Sequence, residues 1–397
     1  MAADVRELPA SANTPVWDDA CWTALPALEG HAHCGTCVIG LGGSGLTVIE
    51  ELLARGEDVI ALDAADVAAG AAGRNGGFLL AGAYDFYHDA VRLHGRDRAR
   101  AIYGATLAEM ARIAEAAPGT VRFVGSRRIA ATTAEIADCR EQLAAMHADG
   151  LACEWYDGDD GVGLSIPVDA AFNPLARCRI LALRAIERGA RLYARTAATS
   201  LTAGRVETPN GIVTCKRIIV AVDGRLELLL PELSGRVRTA RLQMLATAPT
   251  TERIVPCPMY YREGYEYWQQ LPSGEIALGG FRDHGGSAEW TLDTTPGALV
   301  QTALESFLRS RLGVTAPITH RWAASAGYTK SGLPVIEQVR TDIWALGGYC
   351  GTGNVIGALA ARAVVPAALD GDAAGVRLLL GDGWSPDVRP RAVTATS

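Results

Sequence analysis

Lysine is almost absent from this chain of 397 residues: of 37 basic side chains, only Lys216 and Lys330 are lysines. Positive charge is in the minority overall. A net charge of -7 and a pI near 5.6 argue against nucleic acid or an anionic membrane surface as partner. Long hydrophobic runs are missing too. Residues 1–15 have neither a basic n-region nor an apolar h-region, so no signal peptide is expected. The apolar stretch from Val355 is broken by Arg362 and Pro366, too soon to span a bilayer. No repeat or low-complexity linker occurs, so any two domains are interleaved rather than strung on a tether. Nine scattered cysteines form no framework, and an odd count suits reduced thiols. The group His31, His33, Cys34 and Cys37 has zinc-ligand chemistry, but Cys37 belongs to a buried strand and is due in the core, so no metal is expected. What remains is a cytoplasmic globular protein long enough for a large core and two domains.

Glycine, by contrast, is plentiful and clustered. Cys37, Val38 and Ile39 read as a short buried strand that runs into Gly40, Gly42 and Gly45 in G-x-G-x-x-G order. Residues 46–55 carry apolar side chains at helical spacing (Leu46, Ile49, Leu52, Leu53), and Gly56 stops the helix. A second strand, residues 59–62, ends in Asp63. In such a unit the first glycine permits a tight turn. The second lets a pyrophosphate approach, and the third lets helix and strand pack closely. The anion sits on the helix N-terminus, and the Asp63 carboxylate is placed to accept hydrogen bonds from a ribose. The expectation is a dinucleotide site. A glycine-dense loop then follows at residues 69–77, anchored by Phe78, Leu79 and Leu80. Its bared N–H groups suit close approach to a flat ring or a phosphate.

Further along, residues 97–117 show a helical stripe, strands are expected at 121–123 and 128–130, and a helix at 133–148. Together these form a layer inserted between two halves of the dinucleotide domain. Asn173 and Pro174 open a helix striped by Leu175, Cys178, Leu181 and Ile186. Short strands at 191–193, 198–201, 206–208 and 212–215 read as a meander, and an apolar strand, 217–222, ends at Asp223 and Gly224. Residues 238–248, 259–271, 275–279 and 319–324 read as a separate, mainly antiparallel sheet, with a helix at 298–312. One of its strands crowds Tyr260, Tyr261, Tyr265, Tyr267 and Trp268 together. A last strand, 344–346, leads into Gly347, Gly348, Tyr349, Cys350, Gly351, Thr352, Gly353 and Asn354 before a final helix, whose dipole can stabilise negative charge on a ligand.

The segments Pro26-Ala27-Leu28-Glu29-Gly30 and Gly73-Arg74-Asn75-Gly76-Gly77 resemble the FAD-dependent amine oxidases of the D-amino acid oxidase superfamily. So does Thr329-Lys330-Ser331-Gly332-Leu333-Pro334-Val335-Ile336. The nearest likeness is to the gamma-glutamylputrescine oxidase and sarcosine oxidase-like branch. The resemblance implies an α/β (α+β) fold, a Rossmann-like FAD-binding domain with an interleaved, mainly antiparallel substrate domain. The expected FAD domain comprises residues 1–85, 165–235 and 325–397, and the substrate domain 86–164 and 236–324. The implied cofactor set is Gly40, Gly42, Gly43, Ser44, Gly45, Asp63, Ala64, Gly73, Arg74, Asn75, Gly76, Gly77, Ala198, Ala221, Gly224 and the run from Gly348 to Asn354.

The implied chemistry is oxidation of a primary or secondary amine, or amino acid, to an imine by hydride transfer to flavin N5. Oxygen is the expected acceptor, giving hydrogen peroxide. An aromatic pocket that keeps the amine neutral suffices, with no dedicated base. Tyr265, Tyr267 and Trp268 are candidates to touch substrate, Arg74 and Arg282 to hold a substrate carboxylate, and Lys330 to stand near the flavin. Two departures bear on this. Where the relatives link flavin to cysteine this chain has Ala324, so FAD is expected to be noncovalent, with Cys350 the one thiol in reach of the ring. Where they place an oxygen-activating lysine it has Ala277. The alternatives are therefore a flavin dehydrogenase with another acceptor, or an FAD-binding protein with a decayed centre.

Overall fold

The strand Gly30–Ile39 is the axis of a mostly parallel sheet. It pairs in parallel with Val59–Leu62 on one side and Gly211–Val220 on the other, with Val38 opposite Ala61 and Ile219. Arg191–Tyr193 extends the sheet beyond Val59–Leu62, and Ile343–Gly347 joins the far end of Gly211–Val220, both in parallel. Short antiparallel strands complete its edges at Ser200–Thr202, Arg205–Thr208 and Val335–Arg340. Both faces are covered, so the central strands read as continuous apolar runs rather than alternating ones. Helices Gly43–Ala54, Pro174–Glu187 and Ile356–Asp370 bury their apolar stripes on one face. Cys37, fully buried, lies in the cluster on the other.

This computed structural model describes residues 13–384. Residues 1–29, with Pro9, Pro15 and Pro26, read as an extended arm pinned by Trp17 and Trp22, and its first dozen residues lie outside the described residues. Trp17 does pin the remainder of the arm, since its indole N–H donates to the Asn75 carbonyl at 2.9 Å. Among the described residues no helix is long and apolar enough to cross a membrane.

A second eight-stranded sheet draws on Ser126–Ile129, Glu154–Gly158 and Gly161–Ile166, and on strands between Arg238 and Tyr328. All its pairings are antiparallel except Met259–Tyr261 with Ser126–Ile129. One face, with Met244, Ala277 and Trp322, packs toward the parallel-sheet core. The other, with Leu245, Trp268 and Leu278, packs on helix Ala298–Ser310 through Val300, Leu304 and Phe307. A third, three-stranded sheet joins Phe78–Leu79, Val121–Arg122 and Ala170–Phe172.

The structure differs from the sequence reading in several places. The expected strand 259–271 is two strands, Met259–Tyr261 and Glu266–Gln270, separated by a kink. Arg262, Glu263 and Gly264 all have positive φ there, and no strand survives three such residues. The first strand begins seven residues earlier than its apolar core suggests, because Gly211–Val220 supplies a partner along its whole length. Ile186, expected in the buried stripe, is 40% exposed, and the stripe runs through Ala182 and Ala185 instead.

Candidate active site

A cavity of about 830 Å³ lies between the carboxyl ends of the parallel strands and the facing sheet, where ligands bind in open α/β folds. The first glycines show what it is shaped for. A Cβ on Gly40 would stand 2.4 Å from the Ala221 carbonyl oxygen, and one on Gly45 1.9 Å from that of Gly40. Chain packing demands both. Gly42 is different: a Cβ there would meet only Ala72, at 3.5 Å, so the position opens onto the cavity. Helix Gly43–Ala54 has no side-chain N-cap, which leaves its first N–H groups free for an anion. The Asp63 carboxylate accepts the Leu41 and Ala65 N–H groups, both at 2.8 Å, and burial pushes its pKa up. Uncapped helix amides at one end, a carboxylate beside them and a mostly apolar cleft beyond fit the parts of FAD.

Of the expected cofactor residues, Gly40, Gly42, Gly43, Ser44, Asp63, Ala64, Arg74, Asn75, Ala198, Ala221, Tyr349, Gly351, Gly353 and Asn354 line this cavity. Gly45, Gly73, Gly76, Gly77, Gly224, Gly348, Cys350 and Thr352 do not, and several are glycine for packing reasons. Gly73 packs on the Ala68 carbonyl, Gly77 on that of Phe172, and Gly224 on Thr239. Cys350 Sγ is held instead by Thr329, whose N–H lies 3.3 Å away, and burial keeps it a thiol.

Two amides lock the glycine loop to the turn that opens helix Ile356–Asp370, which is followed by one more short helix, Ala374–Leu380, rather than ending the fold. Asn75 and Asn354 exchange side-chain hydrogen bonds at 3.1 Å in both directions. Asn75 also donates to the Ala71 and Ala72 carbonyls and Asn354 to that of Phe78. Arg74 is similarly committed. Its Nε donates to the Ala323 carbonyl at 2.9 Å and its Nη2 to Asn13, and burial lowers its pKa to about 10. That leaves little of this guanidinium for a substrate carboxylate.

Tyr267 lines the cavity from the antiparallel sheet. Its ring fills the space that Cβ atoms on Gly76 and Gly279 would need, at 2.9 and 2.5 Å. Trp268 does not join it. Successive strand residues face opposite ways, so Trp268 packs on Phe307, ring centroids 5.6 Å apart, behind the sheet. Tyr265, beyond the kink, is 39% exposed and stands near Arg282. Arg282 sits among three rings, 4.8 Å from Trp290, 5.2 Å from Tyr328 and 5.9 Å from Tyr265. Among the described residues no carboxylate lies within ion-pair distance of it. Tyr328 Oη stands 3.8 Å from where a Cβ on Gly351 would be, which puts this cluster beside the cavity wall. Lys330 is exposed in the turn after Ile318–Tyr328 and does not line the cavity; Lys216 is exposed too.

Two residues escaped the sequence reading. Asp223, read only as the end of an apolar strand, sits at φ 50° and accepts the N–H groups of Gly327 at 2.8 Å, Gly348 at 2.9 Å and Tyr349 at 3.3 Å. It ties together three chain segments under the cavity. Arg177 is buried and lines the cavity beside Gly43. A helix stripe read from apolar residues alone gives no signal for an inward-pointing arginine.

The family described as DAO, FAD dependent oxidoreductase, matches residues 36–366. Gamma-glutamylputrescine oxidoreductase of Escherichia coli (strain K12) is 27% identical over 375 residues, covering 86% of this chain and 84% of the relative. Among solved structures, L-proline dehydrogenase from P. horikoshii superposes with a TM-score of 0.73 at 17% identity, covering 91% of this chain and 98% of that one. Glycine oxidase from Geobacillus kaustophilus does so with 0.69 at 16%, covering 85% and 94%. At these identities the structures speak for the fold.

Proposed function

Since the chain belongs to the FAD-dependent oxidoreductases of the DAO family, we propose that it oxidises a primary or secondary amine, or amino acid, bearing an anionic group, to the imine. The observation that carries this reading is Arg282, a guanidinium without a carboxylate partner among the described residues, framed by Tyr265, Trp290 and Tyr328 beside the cavity. An arginine so placed matches a carboxylate bidentately, and Arg74 is already engaged by Ala323 and Asn13. Bound FAD supplies the two-electron acceptor, and the chain supplies position and electrostatics.

The chain's own part divides between the two sheets. The parallel sheet, its first glycines and the Asn75–Asn354 pair hold the cofactor. The antiparallel sheet, through Tyr267 and the ring cluster, walls the substrate. Removal from water and the Arg282 charge nearby disfavour an ammonium and favour the neutral amine, the form that can lose hydride from the carbon beside nitrogen. No side chain need act as base. FAD is held without a covalent bond in this reading. Ala324 lines the cavity without offering sulfur, and Cys350 Sγ is turned to Thr329. Oxygen is the proposed acceptor and the cytoplasm the proposed location. The exposed positions of Lys216 and Lys330 favour a second reading, a dehydrogenase with another acceptor, because neither lines the cavity.

The test is anaerobic bleaching of the flavin's visible absorbance band by a panel of amines with and without a carboxylate, then a peroxide assay in air. Arg282→Gln should raise KM for carboxylate-bearing amines by roughly 10- to 100-fold, and leave KM for their decarboxylated counterparts within about twofold. Equal effects on both would discard the carboxylate assignment. Bleaching without peroxide would select the dehydrogenase, and no bleaching by any amine would sink the reading.

A further inference from the structure

Arg177 is 4% exposed on helix Pro174–Glu187, and its surroundings do not account for its charge. Its Nε has no hydrogen-bond partner. Its Nη2 reaches only the Thr47 hydroxyl, at 3.4 Å, and that hydroxyl already donates to the Gly43 carbonyl. Its Nη1 lies 3.1 Å from where a Cβ on Gly43 would stand, against the first turn of helix Gly43–Ala54. Among the described residues no carboxylate lies within ion-pair distance of it.

Other arginines of this chain are treated differently. Arg128, equally buried, pairs with Asp138 and Gln142, and Arg241 with Glu289. On the same helix as Arg177, Arg179 pairs with Asp18 and Asp19, and Arg184 with Glu50. Arg177 alone of these five turns inward without an acid. Beside it stands an uncapped helix N-terminus, itself the positive end of a dipole. Two like-signed centres in a buried corner repel each other, and a buried cation without a counter-charge opposes folding. Neither arrangement makes sense as fold stabilisation. Both make sense if an anion of about two charges lies between them in the cavity that Arg177, Gly42, Gly43 and Ser44 share.

We propose that Arg177 is the counter-charge to the FAD diphosphate, and that the cofactor-free fold carries this cation at a loss of stability which cofactor binding relieves. Deleting the charge then acts differently on two measurements: it weakens FAD binding and does not weaken the cofactor-free protein. A structural arginine would lower both.

The assignment rests on FAD binding and not on which amine is oxidised, so the test uses no substrate. Full-length wild type, R177M and R177K are stripped of flavin. FAD affinity is read by flavin fluorescence, ADP and riboflavin affinities by calorimetry, and the melting temperature of each stripped protein by calorimetric scan. R177M should bind FAD and ADP more weakly by the same factor, roughly 10- to 100-fold. It should bind riboflavin, which has no phosphate, as wild type does, and melt at the wild-type temperature or above. R177K, which keeps the charge on a different reach, should lose less than R177M. The proposal is overturned if FAD and ADP bind R177M within about twofold of wild type, or if riboflavin weakens equally. It is also overturned if stripped R177M melts lower than wild type or fails to fold while R177K folds.

Discussion

The Asp223 carboxylate and the Gly348 N–H lie 2.9 Å apart, joining the end of the strand Gly211–Val220 to the glycine loop before helix Ile356–Asp370. Burial raises the Asp223 pKa, and the N–H donors of Gly327, Tyr349, Gly348 and Gly224 oppose that rise. Its φ of 50° suits asparagine nearly as well as aspartate. Asp223→Asn keeps one acceptor oxygen but turns its NH2 toward either the Gly327 N–H or the Gly348 and Tyr349 N–H groups and should lose about 1–3 kcal/mol, whereas Asp223→Ala leaves all three N–H groups unpaired and should lose more, about 3–5 kcal/mol. Thermal melts of both variants with FAD present check this. Equal losses would mean that the carboxylate oxygens do not tie the segments.

Trp268 and Tyr267 should part company under mutation. Trp268→Ala empties a site behind the sheet against Phe307 and should lose about 3–5 kcal/mol of stability. Its KM for the best amine should stay at the wild-type value in the folded fraction. Tyr267→Ala removes the ring lying over Gly76 and Gly279 and should show its main effect on flavin retention, read as the ratio of protein to flavin absorbance after gel filtration.

The fully buried Asp169 predicts a pH dependence. Its carboxylate accepts the Ser126 hydroxyl at 2.6 Å and the Ala81 N–H at 2.8 Å. Burial nevertheless pushes its pKa up from 3.8 to about 7. Between those values the native chain holds a proton that the unfolded chain has lost, so this group's contribution is greatest near the lower value and falls as pH rises toward the upper one. The contribution is at most about 4 kcal/mol. Tyr103, Tyr260, Cys153 and Cys257 nearby all have raised pKa values and stay uncharged across this range. Asp169→Asn can keep both hydrogen bonds without the charge. Urea melts from about pH 4 to 8 should show the slope in the wild type and its loss in the variant; parallel curves would refute the assignment.

Acid precipitation of the purified protein should send the yellow colour into the supernatant. Cys350→Ala should leave that outcome unchanged, because Thr329 rather than the cavity holds the sulfur. Colour retained in a wild-type pellet and released from the variant would place a covalent bond at Cys350.

Much of the parallel sheet was legible because its signals are local. Gly40, Gly42 and Gly45 follow a strand and open a helix, and Asp63 ends the next strand, all within one stretch of chain. What escaped depends on partners far along the sequence. The polar first half of Gly30–Ile39 becomes strand only because Gly211–Val220 runs beside it. Glu154–Gly158 and Gly161–Ile166 are hidden by a turn rich in glycine and aspartate, and they exist by pairing with each other and with Ser126–Ile129. Grouping Tyr267 with Trp268 overlooked the alternation of strand side chains, which alone forbids them a common pocket. Arg177 was invisible for a deeper reason: charge predicts exposure unless an anion is expected, and nothing near residue 177 in sequence announces one.

The scarcity of lysine has a practical side. Reagents directed at primary amines find only two side chains on this protein, Lys216 and Lys330, both exposed and neither lining the cavity. Lys216 lies mid-strand in Gly211–Val220, whereas Lys330 stands two residues from Tyr328 of the ring cluster beside the cavity, so the two attachment points differ in how near they bring a support to that cluster. A protein this rich in arginine can therefore be tethered through very few of its side chains.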